Sequence, residues 1–560
     1  MATPIIEVDL KKLGVPIFTS GSREYELSVA TANFLYRYHR PKWVVRPRNG
    51  EDVATTVRLA NSMGERITVK NGGHSYAGFS NADGGILVDL CNMKAVTIED
   101  GPGDSKVMIM SGGALWGDAY HELAIGNTHY DGLIVNGGRC PLVGVSGFIL
   151  GGGFGPFSRS VGMGMDQLIE VDVVTAKGDT ITVGEHSVDS REKKLFWALR
   201  GCGGGNYGIV TRLKIRVEKL KDPNVVAGRL TWNVTKEKLE DFKEMMVAFY
   251  TAAWDNYLTI DTTWECDLER SNDVRPFSTR FIAYYDGSED GFAAEVNKQM
   301  PKAEHKEFRQ QLIRRSLGEK STLFFHETLW AQWSEETRRS LPTARAYTLY
   351  SSWVIKNDDA AKIREITGII SKRIQRFRDK FTGERGTFGV TWIHVGGKIS
   401  EKEPKDTPYP WRKGNYCVYI LVRWHEKWLV KEMGTFFDEC KEKLKPYAIE
   451  GKASYVNFPD RTLKNWSEAY YGENLKELRD IHNDWVPRGS HVLDYPQGIG
   501  KSEDAPQAPG GGARGGPHRP LLVPSAEDAR KQWVGHWETY KPPPHSYGDY
   551  VPEGDRLPKC

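Results

Sequence analysis

Apolar side chains recur at Val53, Val57 and Ala60 between Asp52 and Gly64, which predicts an amphipathic helix closed by a glycine stop. Arg66 to Lys70 then reads as a strand delivering the loop Lys70-Asn-Gly-Gly-His-Ser-Tyr-Ala-Gly-Phe79. A similar unit follows, with Lys106 to Met110 as strand, Gly112-Gly113 as break and Ala114 to Leu123 as helix. Leu168 to Thr175 and Thr180 to Val183 flank the turn Lys177-Gly-Asp179 and predict a hairpin. A helix ending in Lys194 to Arg200 comes next, then the glycine cluster Gly201 to Gly208 and the strand Ile209 to Val217. This first region, taken as 1–222, is mixed α+β.

From about residue 225 the pattern changes to long amphipathic helices (Leu239 to Tyr250, Asp359 to Phe381, Lys427 to Leu444) among aromatic strands (Tyr347 to Ile355, Tyr416 to Trp424). That mixture predicts an antiparallel sheet covered by helices, a separate substrate domain over 223–448. Residues 449–499 form a further segment, and 500–560 read as a linker and tail. The stretch Ala505 to Pro517 has too much glycine and proline for helix or sheet and too little apolar content to pack, whereas Trp533, Trp537 and Tyr540 give the tail something to dock with.

Composition narrows the function classes. A chain of 560 residues with 39% hydrophobic content can hold two or three domains with sizeable cores. Its net charge of +3 is interspersed, without the basic block that tracks phosphates, so nucleic acid is not an expected partner. No run of about 18 apolar residues predicts a membrane span, and the start Met1-Ala-Thr-Pro-Ile-Ile lacks signal-peptide character. Seven cysteines form neither CxxC pairs nor zinc spacings, which predicts reduced thiols, no metal site and an intracellular, cytoplasmic protein. Two glycosylation sequons, at Asn233 and Asn465, carry little weight against that.

Candidate chemistry centres on His74 and Cys140, each within its own glycine-rich stretch, the second being Gly137-Gly-Arg-Cys-Pro-Leu-Val-Gly-Val-Ser-Gly147. Imidazole and thiolate are good nucleophiles, and flanking glycines let a flat, pyrophosphate-bearing cofactor lie against the backbone. A flavin tethered twice is the reading. Gly203-Gly-Gly-Asn-Tyr-Gly208 satisfies GxGxxG, but helix precedes it and strand follows, the reverse of a dinucleotide-binding unit.

Four segments together resemble the berberine bridge enzyme-like flavoproteins of the vanillyl-alcohol oxidase/PCMH superfamily: Trp43 to Val53, the loop at Gly73-His-Ser75, Arg139 to Gly155, and Leu195 to Gly201 with Gly205-Asn-Tyr-Gly-Ile-Val210. Tyr455-Val-Asn-Phe458, Trp466 to Asn474 and Tyr495-Pro-Gln-Gly-Ile499 extend the resemblance to the carboxyl end. It implies a two-part PCMH-type FAD-binding domain, with FAD bonded through its 8α carbon to His74 and through C6 to Cys140. It also implies FAD contacts from Lys70, Asn71, Gly72, Gly73, Ser75, Gly78, Gly144, Val145, Gly147, Gly205, Asn206, Gly208, Val210 and Asn457.

Val143, three residues after the cysteine, occupies the position where a small residue accompanies oxidase activity in that family. Many oxidising members carry a second Tyr as catalytic base where this chain has Phe458, and a phenyl ring cannot accept a proton. Tyr455 remains, and His394, Tyr416, Trp392 and Tyr419 lie in the domain expected to cover the flavin. The expected function is an FAD-dependent oxidase that passes hydride from a small organic substrate (an alcohol, a carbohydrate or a specialised metabolite) to the flavin, with O2 returning it to the oxidised state and forming H2O2. The alternatives are an oxidative cyclase or pericyclase, a dehydrogenase using another acceptor, and a flavin-bearing binding protein without turnover.

Overall fold

The computed structural model describes residues 5–125, 130–340, 346–487, 493 and 495–501. The predicted linker and tail lie outside these beyond Lys501.

Two small sheets carry the amino-terminal region. In the first, Trp43–Val45, Ile86–Asp89 and Ile67–Lys70 are parallel, with Ile17–Phe18 antiparallel at the edge. The helix Gly50–Met63 makes the crossover. Asn49 Oδ1 accepts the Asp52 N–H at its start, and Gly64 ends it in the left-handed conformation (φ 64°) that a side chain resists. The second sheet runs in the order Val96–Asp100, Lys106–Ser111, Gly208–Lys219, Leu168–Thr175, Thr180–Gly184. Ile67–Lys70, Lys106–Ser111, Leu168–Thr175, Thr180–Gly184 and Gly208–Lys219 match predicted strands, whereas Ile17–Phe18, Trp43–Val45, Ile86–Asp89 and Val96–Asp100 were not anticipated.

Seven antiparallel strands between Asn224 and Trp424 form the third sheet. Helices Leu239–Thr251, Ala360–Phe381 and Val430–Leu444 cover one face through contacts such as Phe242 with Trp264 and Phe436 with Phe388. The other face turns toward the glycine-rich loops. Every residue of Gly386–His394 and Tyr416–Trp424 is buried, as strands covered on both faces require.

After this sheet the chain returns to the amino-terminal region. Tyr455 Oη accepts the Gly153 N–H at 2.7 Å, Asn457 Nδ2 donates to Phe148 O, and Tyr471 Oη donates to Cys202 O. Among the described residues no helix is long and apolar enough to cross a membrane, and none of their cysteines forms a disulfide.

Candidate functional site

A cavity of about 310 Å³ opens between the glycine-rich loops and the inner face of the seven-stranded sheet, within the range of roughly 300–1,000 Å³ that small-molecule sites occupy. His74 reaches it from the loop after Ile67–Lys70, and Cys140 reaches it from the loop before the helix Val145–Leu150. Burial pushes the His74 imidazole down to about 4, against an opposing pull from the Glu336 carboxylate. At neutral pH the ring is therefore uncharged and keeps the lone pair that a nucleophile needs. Cys140 is buried, its Sγ 3.7 Å from Thr337 Oγ1.

The two loops meet backbone to backbone. A Cβ on Gly72 would stand 2.7 Å from both Gly144 N and Leu142 O, and one on Gly144 would stand 2.0 Å from Asn71 Oδ1 and 2.6 Å from Gly72 N. Asn71 locks this contact, accepting the Ser146 N–H at 3.2 Å and donating to Ala114 O at 3.2 Å. Gly144→Ala must push the loops apart. We expect it to cost about 1–3 kcal/mol, as overpacking does; an unfolding midpoint checks the effect.

A large flat cofactor fits the donors present. A Cβ on Gly147, which lines the cavity, would meet no atom within 4 Å, and one on Gly204 only Leu150 Cδ1 at 4.0 Å, so backbone is open to a ligand at both points. Aromatic rings line the same cavity. Tyr76 stacks on Tyr350 with centroids 4.1 Å apart, Tyr350 on Tyr419 at 5.4 Å, and Phe458 lies 4.8 Å from Tyr419 and 5.4 Å from Tyr455. The Tyr455 hydroxyl accepts from Gly153 N and from Asn457 Nδ2, and burial pushes its ionisation far up.

Of the residues anticipated from sequence, Asn71, Gly72, Gly73, His74, Ser75, Cys140, Val143, Gly144, Gly147, Gly205, Gly208, Val210, Tyr455 and Asn457 line this cavity. Four others do not. Lys70 Nζ donates to Ser28 O at 2.6 Å beside Asp89; Gly78 packs under the Tyr36 ring; Val145 is buried; and Asn206 joins Cys202 O to Ile499 N. His394 and Tyr416, expected at the substrate, are instead core residues on the helix-covered face. Their rings stack at 4.9 Å, Tyr416 also packs edge-on against Tyr250, and His394 Nδ1 accepts the Ile260 N–H. Their neighbours of opposite parity, Ile393 and Tyr419, line the cavity.

Sequence reasoning missed Trp333, Glu336 and Tyr350, which also line it. Trp333 and Glu336 come from the helix Leu329–Ser340, whose charged sequence looks like an ordinary solvated face. It also passed over three buried arginines that join the amino-terminal region to the third sheet and its loops. Arg139 binds both carboxylate oxygens of Asp261; Arg159 donates to the carbonyls of Leu258, Val395, Trp254 and Asp255; and Arg412 makes a bidentate pair with Asp166 at 2.8 and 2.9 Å. Arg139 precedes the cysteine, the one signal of its importance that the sequence held.

Residues 41–184 match the family described as an FAD binding domain, and residues 454–500 the one described as berberine and berberine like. The chain is 24% identical over 501 residues to an uncharacterised FAD-linked oxidoreductase of Bacillus subtilis, spanning 87% of this chain and 97% of that protein. To the reticuline oxidase of Papaver somniferum it is 24% identical over 491 residues, 82% of this chain and 84% of the other. The structure of berberine bridge enzyme from Eschscholzia californica has the same fold, with a TM-score of 0.74 at 21% identity over 88% of this chain and 98% of that one. The shared architecture is the α+β, PCMH-type FAD-binding fold.

Proposed function

We propose that this chain, which belongs to the berberine bridge enzyme-like FAD-linked oxidoreductases, is an oxidase carrying FAD on two covalent bonds, through His74 and Cys140. The observation that carries this reading is the arrival of both nucleophiles in one cavity from loops that touch. When bound, FAD supplies a two-electron acceptor that O2 can return to its oxidised state with release of H2O2. The chain's own part is to hold substrate, keep water out and take a proton. Tyr76, Tyr350, Tyr419 and Phe458 line the cavity as a row of stacked and tilted rings, an aromatic surface suited to a ring-bearing molecule, a specialised metabolite rather than an extended sugar. Val143, a small side chain, lines the same cavity. The described thiols, none in a disulfide, agree with a reducing compartment.

Acid precipitation tests the attachment. The yellow colour is expected to stay with the pellet for wild type, His74→Ala and Cys140→Ala, and to pass into the supernatant for the double variant. Free release from wild type would end the bicovalent reading. A cyclase keeping the same flavin is the second reading, favoured by Phe458 in place of a phenolic base. Turnover without stoichiometric O2 uptake would select it.

A further inference from the structure

One helix after the sheet's edge strand, Leu329–Ser340, reaches both proposed attachment points. Its Glu336 lines the cavity together with His74, and the hydroxyl of the next residue, Thr337, lies 3.7 Å from Cys140 Sγ. The helix is pinned in this orientation. The Trp333 indole N–H donates to Tyr284 Oη at 2.6 Å, and Gln332 Nε2 donates to Gly228 O at 3.1 Å, so its inner face cannot turn away without breaking buried hydrogen bonds. Among the described residues lining the cavity Glu336 is the one carboxylate, and its charge acts on His74 as well as on Tyr350 and Tyr419. Two consecutive residues thus lie near the two tethers, Thr337 beside the Cys140 sulfur and Glu336 in the cavity within electrostatic reach of His74.

We propose that Glu336 and Thr337 serve attachment of the flavin, Glu336 by receiving the proton that the His74 imidazole gives up as it bonds the 8α carbon, and Thr337 by aligning the Cys140 sulfur with C6. The inference rests on the bicovalent reading above. At His74 an 8α C–H bond and the imidazole N–H break and the C–N bond forms; at Cys140 the C6–H and S–H bonds break and the C–S bond forms. In each step the flavin carbon is oxidised and the isoalloxazine ring reduced by two electrons. The two hydrogens released end on that ring, and O2 removes them with the electrons as H2O2. Glu336 acts as a relay in this sequence and is not consumed. Thr337 is a positioning residue.

The test uses full-length protein incubated with FAD in air, with flavin on the His74 and Cys140 peptides followed over time by mass spectrometry. Glu336→Gln is expected to slow flavin addition at His74 by at least about 100-fold, the lower range of general acid–base effects, while the Cys140 bond still forms. Glu336→Asp should recover most of the rate. Thr337→Val should give the converse, slowing the Cys140 bond and sparing His74. Wild-type rates at His74 in Glu336→Gln would overturn the proposal. So would equal loss of both bonds in either variant, since that reports damage to the cavity rather than a role at one tether. Wild-type protein lacking both bonds would overturn the bicovalent reading itself.

Discussion

Asp261→Ala is expected to lower the stability of the folded protein by about 3–5 kcal/mol, the cost of removing one partner from a buried ion pair. Asp261 and Arg139 are both buried; the guanidinium places Nε and Nη2 on the two carboxylate oxygens and Nη1 on Phe154 O. Burial pushes the carboxyl up, and the two-point contact with the guanidinium offsets only part of that rise. Alanine would leave the Arg139 cation without its counter-charge and the His394 N–H without its acceptor. The damage should reach chemistry, because Arg139 precedes Cys140. With its anchor gone the cysteine loop should drift, so that of the two proposed attachments the one at His74 is kept and the one at Cys140 is lost. An unfolding midpoint and peptide mass spectrometry read the two effects together. A stability change under 1 kcal/mol would show that Arg139 finds another partner.

Val143→Leu should slow the return of the flavin to its oxidised state by O2, the acceptor proposed above, and leave a dye acceptor unaffected. Val143 lines the cavity beside the cysteine, its N–H donating to Cys140 O at 3.1 Å. The added methylene must be displaced for O2 to reach the ring. If displacement costs about 1–3 kcal/mol, as overpacked sites do, reoxidation slows by roughly 10- to 100-fold. The measurement needs no natural substrate. Protein reduced with dithionite is mixed with aerated buffer, and the return of the oxidised spectrum is timed. A soluble dye should reoxidise wild type and variant at similar rates, and unchanged reoxidation by O2 would remove Val143 from the oxygen path.

The parts of the site legible in the sequence were those written in local chemistry. The segments around His74 and Cys140 pair a nucleophile with glycines, and close approach of their backbones is what glycine permits. The helix from Gly50 to Met63 announced itself by its period and its glycine stop. The substrate side was illegible for a different reason. A strand with one wet face alternates, but Gly386–His394 and Tyr416–Trp424 are covered on both, so nothing in the order Trp392, Ile393, His394 tells which side chain faces the cavity. Register decides it: Tyr419 pairs with Thr391 and Tyr416 with His394, putting Tyr419 inward and Tyr416 outward. Glu336 was hidden because a carboxylate on a charged helix reads as solvated until the fold brings that helix over the cavity.

The arginine seam bears on how such an enzyme could be re-engineered or recombined. Arg139 and Arg159 find their acceptors in another part of the chain, at Asp261 and the carbonyls of Leu258 and Val395, while Arg412 looks the opposite way to Asp166. Exchanging the third sheet and its loops between relatives thus has to preserve all three arginine contacts. A donor lobe that fills the pocket well but lacks an aspartate at 261 or an arginine at 412 would strand buried charges on its host, and the hybrid would fail at the junction before its selectivity could be measured.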